Sequence, residues 1–483
     1  MNVKPVFHVI ARLMAVVGLL MCLCGLVSFA YGEPAQAWGA LVRAGAGTFA
    51  FSAAVWALTR NPPELTRRDG LGVVALGWLL AGLAGAIPYV LSGVIVSPVG
   101  AFFETMSGLT TTGASVIPVL EGVPRGILLW RAITHLLGGM GILVLVVAIL
   151  PFAGVGGMQL FRAEMAGPTK ERIEPRMAAT AKMLWGVYLL LIAVLVVLLR
   201  LGGMGWFDAV CHAFATLATG GFSTRTASVA AYDSVYIEVV LMTFMLLGGL
   251  NFALHYRALR GEFSPWWKDS SARFYLGVLA VVTLACTGVL HGTAAGPDWA
   301  AALRQSSFTC VSLATTTGFC TADFDVWPAT LKVLLLLLML MGGCVGSTAG
   351  GIKVARIQMT LQAVAREIRL FMQPQAAISV KLDRKPLNDS ALVPVLAFVA
   401  LYLLVGAAGT VAMLWFAPNL ATAISAVVSC LGGVGPGLSA VGPALNYSTI
   451  PGGGLLVLIG MMLAGRLEFF TLLVVCLPAF WKK

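Results

Sequence analysis

The sequence predicts an all-α polytopic membrane protein. It is read as four tandem units, each a helix, a short pore helix, a filter-like string and a second helix, in a pseudo-fourfold arrangement with two extra N-terminal helices. Three observations carry this. The 483 residues are 59% hydrophobic and 11% charged, with a mean hydropathy of +0.93, far above an ordinary soluble domain. Apolar runs long enough to cross a bilayer recur near 10–30, 38–58, 71–95, 127–150, 183–201, 236–256, 274–291, 331–352, 393–417 and 454–480, which gives ten crossings. Between paired runs lie four short strings rich in Thr and Gly: Thr111 to Ser115, Thr219 to Ser223, Thr316 to Cys320 and Gly433 to Gly437.

Residues 1–60 hold the first two runs. The first follows Lys4 and Arg12, is long and lacks a small-residue cleavage site, so it reads as a retained helix and not a signal peptide. Residues 61–155, 156–260, 261–372 and 373–483 are read as the four units. In each, a segment too short and too polar to span, at about 101–116, 207–224, 301–321 or 421–438, ends in one of the strings. Aligned on Gly113, Gly221, Gly318 and Gly435, the strings are 108, 97 and 117 residues apart, a parallel internal repeat.

Irregular backbone at membrane depth needs protein or a water-filled cavity around it, and a ring of four strings provides both. Each short helix would turn its partially negative C-terminal end to the centre, which favours a cation. Carbonyls and hydroxyls without fixed charge are what replaces the water around a monovalent cation. The candidate ion ligands are therefore the main-chain carbonyls around Thr111, Thr112, Gly113, Thr219, Gly220, Gly221, Thr316, Thr317, Gly318, Gly433, Val434 and Gly435. The fourth string departs from the others, carrying Gly433-Val434-Gly435 where a Thr is expected, so one quadrant lacks that hydroxyl.

The net charge of +11 does not point to nucleic acid. With the N-terminus in the cytoplasm, most of the 31 Lys and Arg residues fall in loops on that same side, the positive-inside pattern, and an even number of crossings puts both termini there. The partner implied by composition is membrane lipid. Nine Cys lie mostly in apolar runs and read as small hydrophobes. An intramembrane enzyme is excluded by the lack of HExxH, GxSxG or paired intramembrane carboxylates, and His8, His135, His212, His255 and His291 have no ligand spacing. A receptor or scaffold would leave the fourfold string unexplained.

The stretches FFETMSGLTTTGAS (102–115), HLLGGMGILVLVVAILP (135–151), GGMQLFRAEMAGP (156–168), ATGGFST (218–224), GGCVGSTAGGIKVARI (342–357) and GRLEFFTLLVV (465–475) resemble, in order and spacing, the Trk/Ktr/HKT superfamily of cation transporters, closest to its TrkH-type members. The resemblance covers essentially the whole chain. It implies a potassium-selective filter in the cytoplasmic membrane, potassium as the transported ion with no organic cofactor on this chain, a homodimer, and a cytoplasmic regulatory subunit that binds nucleotides through Rossmann-like domains. A sodium-permeable or sodium-coupled transporter of the same architecture is the alternative.

Below the third string the apolar stretch Val333 to Met341 meets Gly342, Gly343, Gly346, Ser347, Thr348, Gly350 and Gly351, with Lys353 close behind. Each Gly costs a helix interior on the order of 1 kcal/mol against Ala, so the helix is expected to break there. The segment is similar to the family's intramembrane gating loop. Arg466 and Glu468 sit inside the last apolar run, where an ionisable side chain normally faces a cavity or a partner. Two residues apart on a helix, they do not face each other. Arg466 is expected either to restrain the 346–351 loop or to limit cation flow. Glu104 and Asp208 are expected to stabilise the N-termini of the first two short helices.

Overall fold

A computed structural model describes residues 2–60, 62–63, 66–149, 173–293, 296–376, 378–383, 385–467, 469 and 477–481. The 156–168 stretch, Glu468 and most of 465–475 lie outside the described residues. The chain opens on a helical hairpin, α1 (Val3–Ala30) and α2 (Ala35–Leu58). Glu33 in its turn accepts from Ser28 and from the backbone N–H groups of Arg125 and Gly126 at the start of α5 (Arg125–Ile149). A carboxylate there answers the unpaired N–H groups of a helix start and ties the hairpin to the first unit.

The helix–short helix–helix unit then appears four times. The first has α3 (Arg67–Ser92), α4 (Pro98–Leu109) and α5; the second has α6 (Ile173–Leu201), α7 (Trp206–Leu217), and the pair α8 (Val235–Gly249) and α9 (Phe252–Leu259). After the one-turn α10 (Ser264–Lys268) come α11 (Ser270–His291), α12 (Trp299–Ala314), α13 (Ala329–Met341) and α14 (Val354–Met372). The fourth has α15 (Asp389–Met413), α16 (Leu420–Gly432) and α17 (Gly452–Arg466), with α18 (Pro478–Trp481) last. Among the described residues one strand pair interrupts the helical pattern: β1 (Lys381–Leu382) runs antiparallel to β2 (Lys385–Pro386).

Twelve helical residues rise about 18 Å, short of a bilayer's ~30 Å core, so α4 and α7 must turn back. Three of the four short helices start on a side-chain cap: Ser97 accepts from Gly100, Asp298 from Ala301 and Asn419 from Thr422. Among the described residues six helices are long and apolar enough to cross a membrane, and α8 with α9, bent by 106°, makes a seventh if counted as one span. The continuous run expected at 236–256 is corrected by α8, which stops at Gly249; α13 stops at Met341, where the break was expected; and the run expected at 454–480 is corrected by α17, which stops at Arg466. Glycines end the first two ladders, which a hydropathy window averages over.

Among the described residues the core has two large clusters and three smaller ones. One large cluster holds Tyr188, Phe252, Tyr275, Phe308 and Phe319; the other large one holds Tyr89, Phe103, Trp130 and Tyr447. The first joins units two and three, and the second joins units one and four with the N-terminal hairpin. Large apolar side chains such as Phe51, Val281 and Leu404 are exposed on the outside, as a surface facing lipid requires.

Candidate ion-conduction site

The four strings meet as neighbours in a closed ring. A Cβ placed on Gly113 would lie 2.0 Å from the Gly220 carbonyl oxygen, on Gly221 1.9 Å from that of Thr317, and on Gly318 1.9 Å from that of Val434. Gly435 closes the circle, with its Cβ position 2.8 Å from the Thr112 oxygen. The carbonyls of Thr112, Gly220, Thr317 and Val434 thus occupy one equivalent place in four strings. Backbone approach this close admits no side chain.

Each string also leaves its helix in the same way. The N–H groups of Thr112, Gly220, Thr317 and Val434 donate to the carbonyls of Ser107, Ala215, Ser312 and Ser429, at 2.8, 2.8, 2.8 and 2.9 Å. Two residues before each aligned glycine the backbone is left-handed, with φ of 55° at Thr111, 52° at Thr219, 56° at Thr316 and 68° at Gly433. A β-branched residue is strained in that region. The fourth string's departure therefore falls where Thr fits least well, and Gly433 relieves the strain its counterparts hold.

Behind the strings the supports differ. Thr110 and Thr112 pair their hydroxyls at 2.9 Å, and Thr315 and Thr317 do so at 2.8 Å. In the second string Gly220 stands at the position of Thr112 because the fully buried His135 ring fills that space: a Cβ on Gly220 would be 2.7 Å from it. His135 in turn stacks on Phe222, with centroids 4.2 Å apart. Sequence reading left His135 among dispersed histidines, and its only signal is its place ahead of Gly138 and Gly139.

Glu104 is not a helix-start group, which corrects the expectation. It lies in the middle of α4, fully buried, 2.8 Å from Arg131 Nε. It also accepts from the Ser115 hydroxyl and the Val116 N–H, while Arg131 donates to the Ser223 carbonyl and covers the Phe222 ring at 4.0 Å. One buried ion pair thereby holds the first string to the second. Asp208 does sit in the first turn of α7, and it accepts from Thr224 and Arg225 as well. In the loop after the first string Glu121 accepts from the Thr226 N–H and hydroxyl, bonds that hold its carboxyl below the ordinary range.

Under the ring, residues 342–353 leave the helical ladder and their backbone groups find partners elsewhere. Gly350 N–H donates to the Thr316 hydroxyl at 2.7 Å and Gly351 N–H to the Gly432 carbonyl at 2.9 Å. The Thr348 hydroxyl reaches the Leu217 carbonyl, and its N–H reaches Gly248. Cys344 N–H donates to Gly249, and Phe252 N–H to Gly346, so the break between α8 and α9 and the loop satisfy each other. That second break was not foreseen. Asn251, whose side chain caps α9, was its local signal. Lys353 Nζ donates to the Ala349 carbonyl. Arg466, only 6% exposed, donates to the Thr348 carbonyl at 2.9 Å and the Gly138 carbonyl at 3.1 Å, joining the loop to α5. Ser347 is buried within the loop and donates to Cys344.

Re-entrant short helices around a ring of main-chain carbonyls, with an irregular loop hydrogen-bonded against it, define a multi-pass membrane protein with a pathway suited to cations. Residues 39–483 match the family model of TrkH, a cation transport protein, and the chain belongs to that family. It is 39% identical to the Trk system potassium uptake protein TrkH of Salmonella typhimurium, over 100% of both chains. It is 41% identical to that of Vibrio parahaemolyticus, over 88% of each. The crystal structure of the potassium transporter TrkH from Vibrio parahaemolyticus superposes with a TM-score of 0.91 at 36% identity, covering both chains in full. This is a family of transporters and not of enzymes.

Proposed function

We propose that this chain conducts potassium ions into the cell across the cytoplasmic membrane, with both termini in the cytoplasm. The observation that carries the reading is the closed ring of four equivalent carbonyls, at Thr112, Gly220, Thr317 and Val434. In it the carbonyls of residues 111–113, 219–221, 316–318 and 433–435 replace the hydration shell of the ion, and the potassium relatives support that choice of ion. The four units at 61–155, 156–260, 261–372 and 373–483 each supply one quadrant. Gly346, Ser347, Thr348, Gly350, Gly351 and Lys353 form a gate that blocks the path below the ring, and Arg466 holds that gate in place. The relatives named as parts of a Trk system support further components acting with this chain; a cytoplasmic nucleotide-binding regulatory subunit and a homodimer are what the family resemblance implies.

The unlike fourth string, Gly433-Val434-Gly435, favours a second reading, a sodium-permeable transporter of the same build. Tracer influx into liposomes holding the purified chain, run in parallel for potassium, rubidium, sodium and lithium, separates the two. Potassium and rubidium are expected to enter well ahead of sodium and lithium. Equal entry of sodium would establish the second reading.

A further inference from the structure

The seam between the fourth and first strings is built unlike the other three. At those three a Cβ on the aligned glycine would lie 1.9–2.0 Å from the neighbouring carbonyl oxygen; at this one the distance is 2.8 Å, and Gly435 has φ 106° where its counterparts have 77–81°. The fourth string also lacks the hydroxyl pair that backs the first and third. One side chain braces this seam. The fully packed Tyr447 donates its hydroxyl to the Gly435 carbonyl at 2.8 Å, its backbone N–H donates to the Ser115 carbonyl of the first string at 2.8 Å, and its ring packs on Phe103 with centroids 5.5 Å apart.

We propose that Tyr447 is a specificity-determining positioning residue, whose hydroxyl fixes the Gly435 carbonyl and so holds the fourth quadrant at the width the larger ion needs. The proposal rests on the reading of the ring as a selectivity filter. A carbonyl tethered by a donor cannot swing inward, and its field on an ion is weakened by the shared lone pair. Freed, it can close on a smaller cation, and discrimination between ions of one charge depends on the number and field strength of such dipoles. Loss of the tether therefore favours sodium.

The test uses the full chain in liposomes and reads the ratio of potassium to sodium influx. Tyr447→Phe is expected to lower that ratio roughly two- to tenfold, the factor matching one ordinary hydrogen bond. 4-Methylphenylalanine at 447, which fills the hydroxyl's space without a donor, should behave like Phe. 4-Aminophenylalanine, which restores an N–H donor, should recover the ratio. Tyr402→Phe, at a buried tyrosine packed on Phe398 and Phe469 whose hydroxyl has no hydrogen-bond partner among the described residues, should leave it unchanged. Gly318→Ala serves as the probe of the filter itself. If the parent chain does not discriminate, or Gly318→Ala keeps the parent ratio, the filter reading fails. If both behave as expected and Tyr447→Phe keeps the ratio, the role of Tyr447 is overturned. Should Tyr447→Phe not insert, equal ratios for the 4-methyl and 4-amino chains overturn it as well.

Discussion

The upper ring and the layer beneath it are both fourfold in chain order, yet one is built alike four times and the other four different ways. In the ring the same N–H to carbonyl bond and the same left-handed residue recur in each string. Below, α5 runs on through Gly138 and Gly139, the second unit bends by 106° after Gly249, the third leaves the helix for a loop after Met341, and the fourth carries Arg466. An ion must meet equivalent dipoles from all sides to lose its water, so a ring gains from symmetry. On the proposed reading of the 342–351 loop as a gate, a plug can occupy an axis only once, so it comes from one unit while the other three make room for it or hold it.

The largest expected effect breaks the upper layer at its buried ion pair. Glu104→Ala leaves the Arg131 guanidinium, 2% exposed, without its counter-charge beside the first and second strings. Breaking a buried pair on one side costs about 3–5 kcal/mol, and thermal unfolding in detergent should register a loss of that size. Arg225→Ala, at a pair whose arginine is 48% exposed, should cost no more than about 1 kcal/mol. Equal losses in the two would show that the ring is not held through Glu104.

Next comes the symmetry of the ring itself. Gly318→Ala puts a methyl 1.9 Å from the Val434 oxygen at a φ of 77°, where only the backbone can move, whereas Gly435→Ala meets the Thr112 oxygen at 2.8 Å. Backbone strain of about 1–3 kcal/mol in one quadrant translates to a fall of roughly tenfold or more in the ratio of potassium to sodium influx for Gly318→Ala. Gly435→Ala should lower the ratio less. The reverse order would mean that the looser seam is the selective one.

Much of this ring was legible before any coordinates. Thr and Gly strings at near-equal spacing state both the backbone shape and the number of copies, because a left-handed residue and a close approach leave few residue types to choose from. The glycine cluster at 342–351 announced the end of α13 for the same reason. What holds the ring was not legible: Arg131 meets Ser223 and Tyr447 meets Ser115 across long stretches of chain, and no local pattern encodes such pairings. Arg466 stood out as a charge in an apolar run, but its two carbonyl partners, 118 and 328 residues away, come only from the fold.

The lower layer is sharpened by Arg466. Arg466→Ala removes both donors that clamp Thr348 to α5, and potassium influx is expected to rise roughly tenfold or more, since even one bond to a charged donor is worth about 1.5–3 kcal/mol. The potassium to sodium ratio should not change, because the ring above is untouched. Arg466→Lys should rise less, as one ammonium lacks the fork that reaches two carbonyls at once. Influx falling to background in a correctly inserted Arg466→Ala chain would make Arg466 a support of the open path.

The smallest effect is expected where the ring departs from its own rule. Gly433 has φ 68°, near that of Thr111, Thr219 and Thr316, and a Cβ there would meet nothing nearer than the Thr110 carbonyl oxygen at 3.9 Å. Gly433→Thr therefore has room, and its cost is the left-handed strain its three counterparts already bear, about 1 kcal/mol at the lower end of the usual range. Melting should drop slightly, and the potassium to sodium ratio should stay at the parent value. Because the carbonyl that faces the pathway belongs to the backbone, adding a hydroxyl behind it changes little so long as φ is kept. A large loss of selectivity in Gly433→Thr would show that the fourth string needs a conformation the other three do not share, and that the ring is threefold in its chemistry with a separate fourth wall.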